Sequence, residues 1–159
     1  MQNLTLTIRK QPIPKQSFRF ANGHGYTPAP VKAYCETVTA QILAQLPDDF
    51  QLITVPIEVS IRHIYTYTAD AKKIIKKQNA NATGTNPLLV KATRPDVTDN
   101  LNKGLIDAMQ GLIFLDDALI WNFHAVKMFG EAPMSIIEIK ITENLVINEK
   151  TLFSLPEAI

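Results

Sequence analysis

Alternating apolar and polar side chains predict strands at two places in the first half of the chain. Leu4, Leu6 and Ile8 alternate with polar residues, which is the period of a half-buried strand. The second run is longer, and its apolar positions are Ile53, Val55, Ile57, Val59 and Ile61. Pro56 has no N–H to donate to a neighbouring strand. This strand therefore either lies at the edge of the sheet or begins near Pro56.

Apolar residues three to four apart predict two helices. The first opens at residues 27–30 and stops at Pro47. Its apolar stripe consists of Val31, Tyr34 with Cys35, Val38, Ile42 and Leu46. The second helix occupies the later part of residues 96–112 and ends at Gly111. Its apolar positions are Leu101, Leu105, Ala108 and Leu112.

The remaining segments complete the predicted order of elements. They are an irregular or hairpin-like stretch at 15–27, a strand pair at 117–129 and 134–142 joined by residues 130–133, and a C-terminal tail at 145–159. Residues 66–93 are predicted to be a basic, mobile excursion with two helical turns at 70–77. The order β-α-β-α-β-β predicts an α+β fold, a mixed sheet with helices packed on it, in a single domain covering residues 1–159.

Composition narrows the class of protein. With 46% hydrophobic and 19% charged residues in 159, the chain can bury a core and is not intrinsically disordered. No apolar run approaches the roughly 20 residues that span a bilayer, and no secretory signal is visible at the start. The single cysteine, Cys35, excludes an internal disulfide framework and a cysteine-rich zinc site. We therefore expect a cytoplasmic protein with no membrane partner.

Charge is distributed unevenly along the chain. Residues 1–94 hold twelve basic and five acidic residues, a net charge of +7, whereas residues 95–159 hold four basic and ten acidic residues, a net charge of −6. This asymmetry is either a dipolar surface without function or a polyanion-binding face beside metal-binding carboxylates. The positions of the acidic residues decide which is worth testing.

Carboxylates cluster around the second predicted helix. Asp96 and Asp99 stand three residues apart at its entrance, and Asp116 and Asp117 precede the next strand. Carboxylates with retained water are the ligands that Mg²⁺ prefers. Lys103 lies one turn beyond Asp99 on the same helix face, where it can neutralise a phosphate or hold the carboxylates.

The same residues have ordinary structural interpretations. Asp96 and Asp99 are typical of helix N-caps, and the Asp116–Asp117 pair is typical of a turn. Asp99 and Lys103 are also spaced as an exposed ion pair. Spacing alone favours these structural interpretations over a metal site.

Several of these segments together resemble a known family. They are PDVTDNLNK at 95–103, GLIDA at 104–108, the Asp-Asp-Ala triplet at 116–118, the strand ending in Lys127, and PKQSFR and GYTP near the start of the chain. This combination, from about residue 4 to about residue 142, resembles the RusA-type Holliday junction resolvases. One difference is that two residues, Val97 and Thr98, separate the first two carboxylates where the family has one.

The resemblance implies a Mg²⁺-dependent, homodimeric endonuclease that nicks four-way DNA junctions symmetrically. Such proteins occur mainly in phages and prophages. The resemblance also implies that Mn²⁺ can substitute for Mg²⁺ and that no nucleotide cofactor is needed. By matching motif positions it implies that Asp96, Asp99 and Asp117 bind the metal, with Asp116 as a substitute ligand. The motif lysine matches Lys103. With the resemblance added, the metal-site interpretation overtakes the capping one.

The basic half then becomes a candidate DNA surface. The residues predicted to contact phosphates are Lys15, Arg19, Lys72, Lys73, Lys76, Lys77, Lys91 and Arg94. For the lysines at 72–77, a solvated helix face is the more ordinary interpretation. Trp121 and Phe123 share a strand face and are predicted to lie in the core or at a dimer interface.

Two other functions remain open. One is a non-catalytic, structure-selective DNA-binding protein with a degenerate metal site. The other is a small-molecule hydrolase or phosphotransferase, which the absence of a phosphate-binding loop argues against.

Overall fold

Five strands form one mixed sheet in the computed structural model, which describes residues 3–14, 19–21, 24–26, 28–78, 89–98 and 100–142. The strands are β1 (Asn3–Ile8), β4 (Ile57–Thr66), β5 (Leu89–Val90), β6 (Ile120–Gly130) and β7 (Met134–Ile141). A separate antiparallel hairpin consists of β2 (Arg19–Ala21) and β3 (His24–Tyr26). The helices are α1 (Ala29–Leu43), α2 (Ala69–Gln78) and α3 (Asn100–Met109).

The strand order in the sheet is β1-β7-β4-β6-β5, with β4 in the centre. β4 and β6 run parallel, and the other neighbouring pairs run antiparallel. A parallel pair needs a crossover connection, and here the crossover contains α2, β5 and α3. This architecture confirms the predicted α+β class.

The core lies between the sheet and the two helices α1 and α3. Side chains at every second position of β4 are buried, because one face of the strand points to these helices. The fully buried core side chains, those under 2% exposed, include Leu6, Ile8, Ile42, Ile57, Ile61, Leu101, Leu105, Met109, Phe114, Ile137 and Ile139. The opposite face carries a half-exposed ion pair between Arg62 and Glu138, 2.6 Å apart.

Two strand predictions are corrected by the topology. The predicted pairing of the strands after residue 117 is wrong, because β4 lies between β6 and β7 and pairs with both. The two ends joined by residues 131–133 are therefore separated by one strand, which alternation along a single segment does not reveal. The choice at Pro56 is also settled, since β4 is central and starts at Ile57, directly after the proline.

Helix α2 is attached to the end of the sheet by a small apolar cluster. Tyr67, Ala71 and Ile75 are buried there, with Leu89 and Phe129 packed against them. The predicted two helical turns at 70–77 are thus confirmed and extended to ten residues. The middle of the 66–93 segment, residues 79–88, lies outside the described residues, as does the 145–159 tail.

Among the described residues, no helix combines the length and the apolar character that crossing a bilayer requires.

Candidate nuclease site

Two lysine side chains donate hydrogen bonds to the loop that leads into α3. Lys127 of β6 donates from Nζ to the carbonyl oxygen of Thr93 at 2.6 Å and to that of Pro95. Lys91 donates from Nζ to the carbonyl oxygen of Arg94 at 2.7 Å. Three successive carbonyl groups thus accept hydrogen bonds from lysines, and the intervening Arg94–Pro95 peptide bond is cis. The loop before Asp96 has a defined course that the sheet determines.

Asp96 lies at the end of this loop as an exposed, ionised acceptor. Its Oδ1 accepts from the backbone N–H of Thr98 at 2.9 Å and from the Thr98 hydroxyl at 2.7 Å. These two hydrogen bonds, with a smaller contribution from the charge of Lys127, lower the pKa of Asp96. The geometry is that of an Asx turn, so Asp96 closes this turn and is not the N-cap of α3, whose first residue is Asn100.

The remaining residues of the helix entrance are only partly visible. Asp99, one of the predicted metal ligands, lies outside the described residues. Asn102, 3% exposed, donates from Nδ2 to the carbonyl oxygen of Val97 and so closes the turn onto α3. Lys103 is exposed on α3, on the side that faces away from the core.

The Asp116–Asp117 pair lies at the other end of α3. Asp116 caps a 3₁₀ turn at Asp117–Leu119, because its Oδ1 accepts from the N–H of Ala118 at 2.9 Å. Its Oδ2 lies 3.3 Å from the side-chain nitrogen of Gln110, one residue beyond the helix. Asp117 is exposed and its carboxylate has no hydrogen bond or ion pair with the described residues.

The two carboxylate groups are therefore separated within one chain. The ten residues of α3 span about 15 Å, and the seven residue steps of β6 from Ile120 to Lys127 span about 23 Å. No three acidic, histidine or cysteine side chains come together as a possible metal site in the part of the chain that the structure describes, which leaves out Asp99. A site within one chain that uses both Asp96 and Asp117 does not fit this geometry.

The predicted DNA-contacting residues have different environments. Helix α2 directs Lys72, Lys73, Lys76 and Lys77 to solvent, opposite its buried stripe. Counting only partners that the structure describes, Lys73 alone among them is paired, with Asp70 at 3.3 Å, in a highly exposed ion pair. Such a pair adds little to stability. Four exposed lysines on one helix face form a basic surface, which we call the α2 lysine face.

Lys91 does not belong to an open surface. It is 8% exposed, lies 5.0 Å from the ring centroids of Tyr65 and Phe129, and also donates to the Thr93 hydroxyl at 2.6 Å. Burial, together with the charge of Lys127, lowers its pKa. Its ammonium group is used inside the protein, so we do not assign it a phosphate. Arg94 is exposed; Lys15 lies outside the described residues, and Arg19 belongs to β2.

The role of Lys127 in supporting the loop is not predicted by the sequence motif, in which this lysine is only the end of a strand. Its position on β6 carries a signal, because it shares the helix-facing side of the strand with apolar Ala125 and Phe129. A lysine on such a face needs acceptors. The loop carbonyls supply them.

Comparison with known proteins identifies the family. A family model described as endodeoxyribonuclease RusA matches residues 10–142, a region that includes every described element except β1. The chain therefore belongs to the RusA endodeoxyribonuclease family, and the resemblance noted in its motifs is confirmed. This membership makes it a nuclease whose family activity is the resolution of Holliday junctions.

A curated relative covers nearly the same length. It is a Bacillus subtilis (strain 168) protein described as uncharacterized protein YqaN, 26% identical over 147 residues. The match covers 90% of this chain and 98% of YqaN. The domain is thus shared over almost its whole extent.

Proposed function

We propose that this protein is a Mg²⁺-dependent endonuclease that cuts four-way DNA junctions by paired symmetric nicks. The observation that supports it best is the entrance to α3, where the sheet holds a loop with an ionised carboxylate at its end. Family membership over residues 10–142 supplies the nuclease class. The metal dependence and the paired cleavage are our proposals.

The oxygen ligands that Asp96 and Asp99 offer support a hard divalent cation as the bound metal. Asp96 and Asp99 would hold it, together with water, since carboxylate oxygens are its preferred ligands. When bound, Mg²⁺ supplies the Lewis acidity that activates water and stabilises charge on the phosphate. Lys103, one turn along α3 from Asp99, would bind the phosphate, and Mn²⁺ would substitute for Mg²⁺.

We further propose that the active form is a homodimer. Asp96 and Asp117 lie at opposite ends of α3, so one ion can contact both only if Asp117 comes from the partner subunit. A two-fold dimer also provides two equivalent sites for two equivalent strands. Trp121 and Phe123, 51% and 40% exposed, lie four and six residues beyond Asp117 along the chain. Their exposure excludes the core and supports the interface interpretation.

A specific observation supports the alternative, a junction-binding protein without catalysis. Oδ1 of Asp96 is occupied by Thr98, and the extra residue between Asp96 and Asp99 lengthens this turn. If the lengthened turn keeps Asp96 from reaching an ion together with Asp99, the basic surfaces would still bind DNA.

The test compares a synthetic four-way junction with a linear duplex of the same sequence, each with Mg²⁺ and with EDTA. We expect nicking of the junction only with Mg²⁺, and loss of nicking in Asp99→Asn and Asp117→Asn. Asp48→Asn, an exposed carboxylate after α1, is the matched control and should cut as wild type. Tight junction binding without nicking under any metal would establish the alternative. A protein that neither binds nor nicks the junction would contradict both the nuclease proposal and the binding-protein alternative.

A further inference from the structure

A chain of buried hydrogen bonds runs from the far side of the core to the loop that carries Asp96. His63 of β4 is 0% exposed, and its Nδ1 lies 2.9 Å from the hydroxyl of Ser135 on β7, also 0% exposed. Its Nε2 lies 2.8 Å from Oδ1 of Asn102 on α3. Tyr34 of α1 is hydrogen-bonded to Ser135 at the opposite end. The chain therefore joins α1, β7, β4 and α3.

The donors and acceptors in this chain have one consistent direction. The amide nitrogen of Asn102 donates to Val97, so its oxygen faces His63 and can only accept. His63 Nε2 must then carry the proton, and Nδ1 of the neutral ring accepts from the Ser135 hydroxyl. Ser135 in turn can accept from Tyr34. Every polar atom of the chain is satisfied when His63 is neutral with the proton on Nε2.

Protonation of His63 would disrupt this order. A proton on Nδ1 would remove the acceptor of the Ser135 hydroxyl, whose hydrogen could then be accepted only by reversing the hydrogen bond with Tyr34 in a site closed to water. Lys127 is the register partner of His63 on β6, and its ammonium group is bound to the carbonyl groups of Thr93 and Pro95. Burial lowers the pKa of His63, while the hydrogen bond to Asn102 works in the opposite direction. The neutral ring is thus the form that this environment stabilises.

The hydrogen-bonded chain ends at the carbonyl group of Val97, a residue that lies between Asp96 and Asp99 in the sequence. Lys127 holds the carbonyl groups of Thr93 and Pro95 on the other side of Asp96. The loop is therefore held on both sides of its first carboxylate. We propose that His63 is a positioning residue, which through Asn102 and the Val97 carbonyl fixes the turn that presents the metal-binding carboxylates. This role rests on the function proposed above.

The positioning role predicts a difference between two substitutions of the same residue. His63→Gln places an amide N–H where Nε2–H was and keeps the donor to Asn102; His63→Leu removes it. Partners behind metal ligands commonly change metal affinity about 10–100-fold. We expect His63→Leu to weaken Mn²⁺ binding about tenfold or more and His63→Gln to stay within about threefold of wild type. Free Mn²⁺ measured by electron paramagnetic resonance gives the affinity without any cleavage.

Two controls separate positioning from loss of stability. Ile61→Ala, two residues away on β4 and 0% exposed, should reduce stability but leave Mn²⁺ affinity unchanged. Tyr34→Phe removes the hydroxyl at the end of the hydrogen-bonded chain that is remote from the loop. This variant should also leave the Mn²⁺ affinity unchanged. Mn²⁺ affinity that follows the stability of all these variants, or equal weakening in His63→Gln and His63→Leu, would overturn the positioning role.

The ring itself can be observed in the wild-type protein. Nitrogen-15 spectra of labelled histidine should show His63 as the neutral Nε2–H tautomer, assigned by its absence in His63→Gln. An Nδ1–H or protonated ring at pH 7 would overturn the inference even if His63→Leu does not fold. If wild type cuts junctions but His63→Leu binds Mn²⁺ as tightly as wild type, this inference is wrong and the proposed function stands. If His63→Leu weakens Mn²⁺ binding but wild type cuts no junction, this inference is supported and the proposed catalysis is wrong.

Discussion

Two neighbouring lysines show how much depends on single residues at the helix entrance. Lys91 and Lys127 are joined by a backbone hydrogen bond of 3.1 Å, from the N–H of Lys91 to the carbonyl of Lys127. Both direct their ammonium groups into the loop before Asp96. The sequence predicts a phosphate contact for Lys91 and only a strand end for Lys127, yet the hydrogen bonds of both ammonium groups are internal. Local sequence does not distinguish Lys91 from the exposed lysines of α2, because its burial depends on how β5 and β6 pair.

Removal of the Lys127 ammonium should therefore impair the site more than the fold. Lys127→Met keeps the apolar stem but leaves the carbonyl groups of Thr93 and Pro95 without their donor. We expect a stability loss of about 2 kcal/mol, since hydrogen bonds to a charged group are the stronger kind, and at least tenfold slower junction cleavage. Lys140→Met, exposed on β7, is the control and should change neither. Equal cleavage by the two variants would contradict a supporting role for Lys127.

His63 should make the stability of the fold depend on pH. Its pKa in the folded state is lowered from 6.5, so the unfolded state binds more protons at acidic pH. The stability that the neutral ring contributes should then be fully present above pH 6.5. The free energy of unfolding should decrease as the pH falls below that value. Urea denaturation between pH 5 and pH 8 measures this, and His63→Gln should flatten the dependence over that range. A wild-type profile that is flat there, or that rises toward low pH, would contradict a buried neutral ring.

At the scale of elements, periodicity predicted most of the sheet and its helices. Alternation identified β1, β4 and β7, and the three-to-four spacing identified α1 and α3, because burial on one side of each element leaves that pattern. The pairing was not predictable in the same way. The parallel contact of β4 with β6 depends on a crossover of more than 50 residues, and nothing in either strand encodes its neighbour.

The sequence identified the carboxylates of the candidate site but not how the fold arranges them. The carboxylates at the entrance to α3 were visible as a motif, whereas the separation of Asp96 from Asp117 follows from the length and packing of α3. Likewise, the sequence alone favours a structural or surface role for His63, since its partners Ser135 and Asn102 come from distant segments.

The α2 lysine face should contribute to DNA binding through charge alone. Ala71 and Ile75 attach the helix to the sheet, so the four lysines point outward together. For each phosphate that the protein no longer neutralises, the slope of log K against log salt should fall by about 0.9. We expect replacement of Lys72 and Lys76 by alanine to reduce that slope by about 1 to 2 for the junction. Lys32→Ala on α1 is the control, and an unchanged slope in the α2 variant would remove this face from the DNA path.

At the scale of the whole molecule, we propose that each site needs residues from two subunits. If Asp96 of one subunit works with the partner subunit's Asp117, then Asp96→Asn and Asp117→Asn should complement each other. Half of the mixed dimers would combine the two variants, and in each of those one site would have both carboxylates. We expect the mixture to regain nicking of one strand per junction, although each variant alone cuts nothing. A mixture as inactive as its components would place both residues in a single-chain arrangement or outside the site.

Paired cleavage of a four-way junction can be measured strand by strand. A fixed four-way junction is labelled on each of its four strands in turn, and the cut positions are mapped at the nucleotide level with Mg²⁺ and with EDTA. We predict nicks at matching positions on two opposite strands, close to the crossover, and only with Mg²⁺. Cuts at unrelated positions on all four strands, cleavage that persists in EDTA, or an uncut junction that the protein nevertheless binds would contradict this prediction.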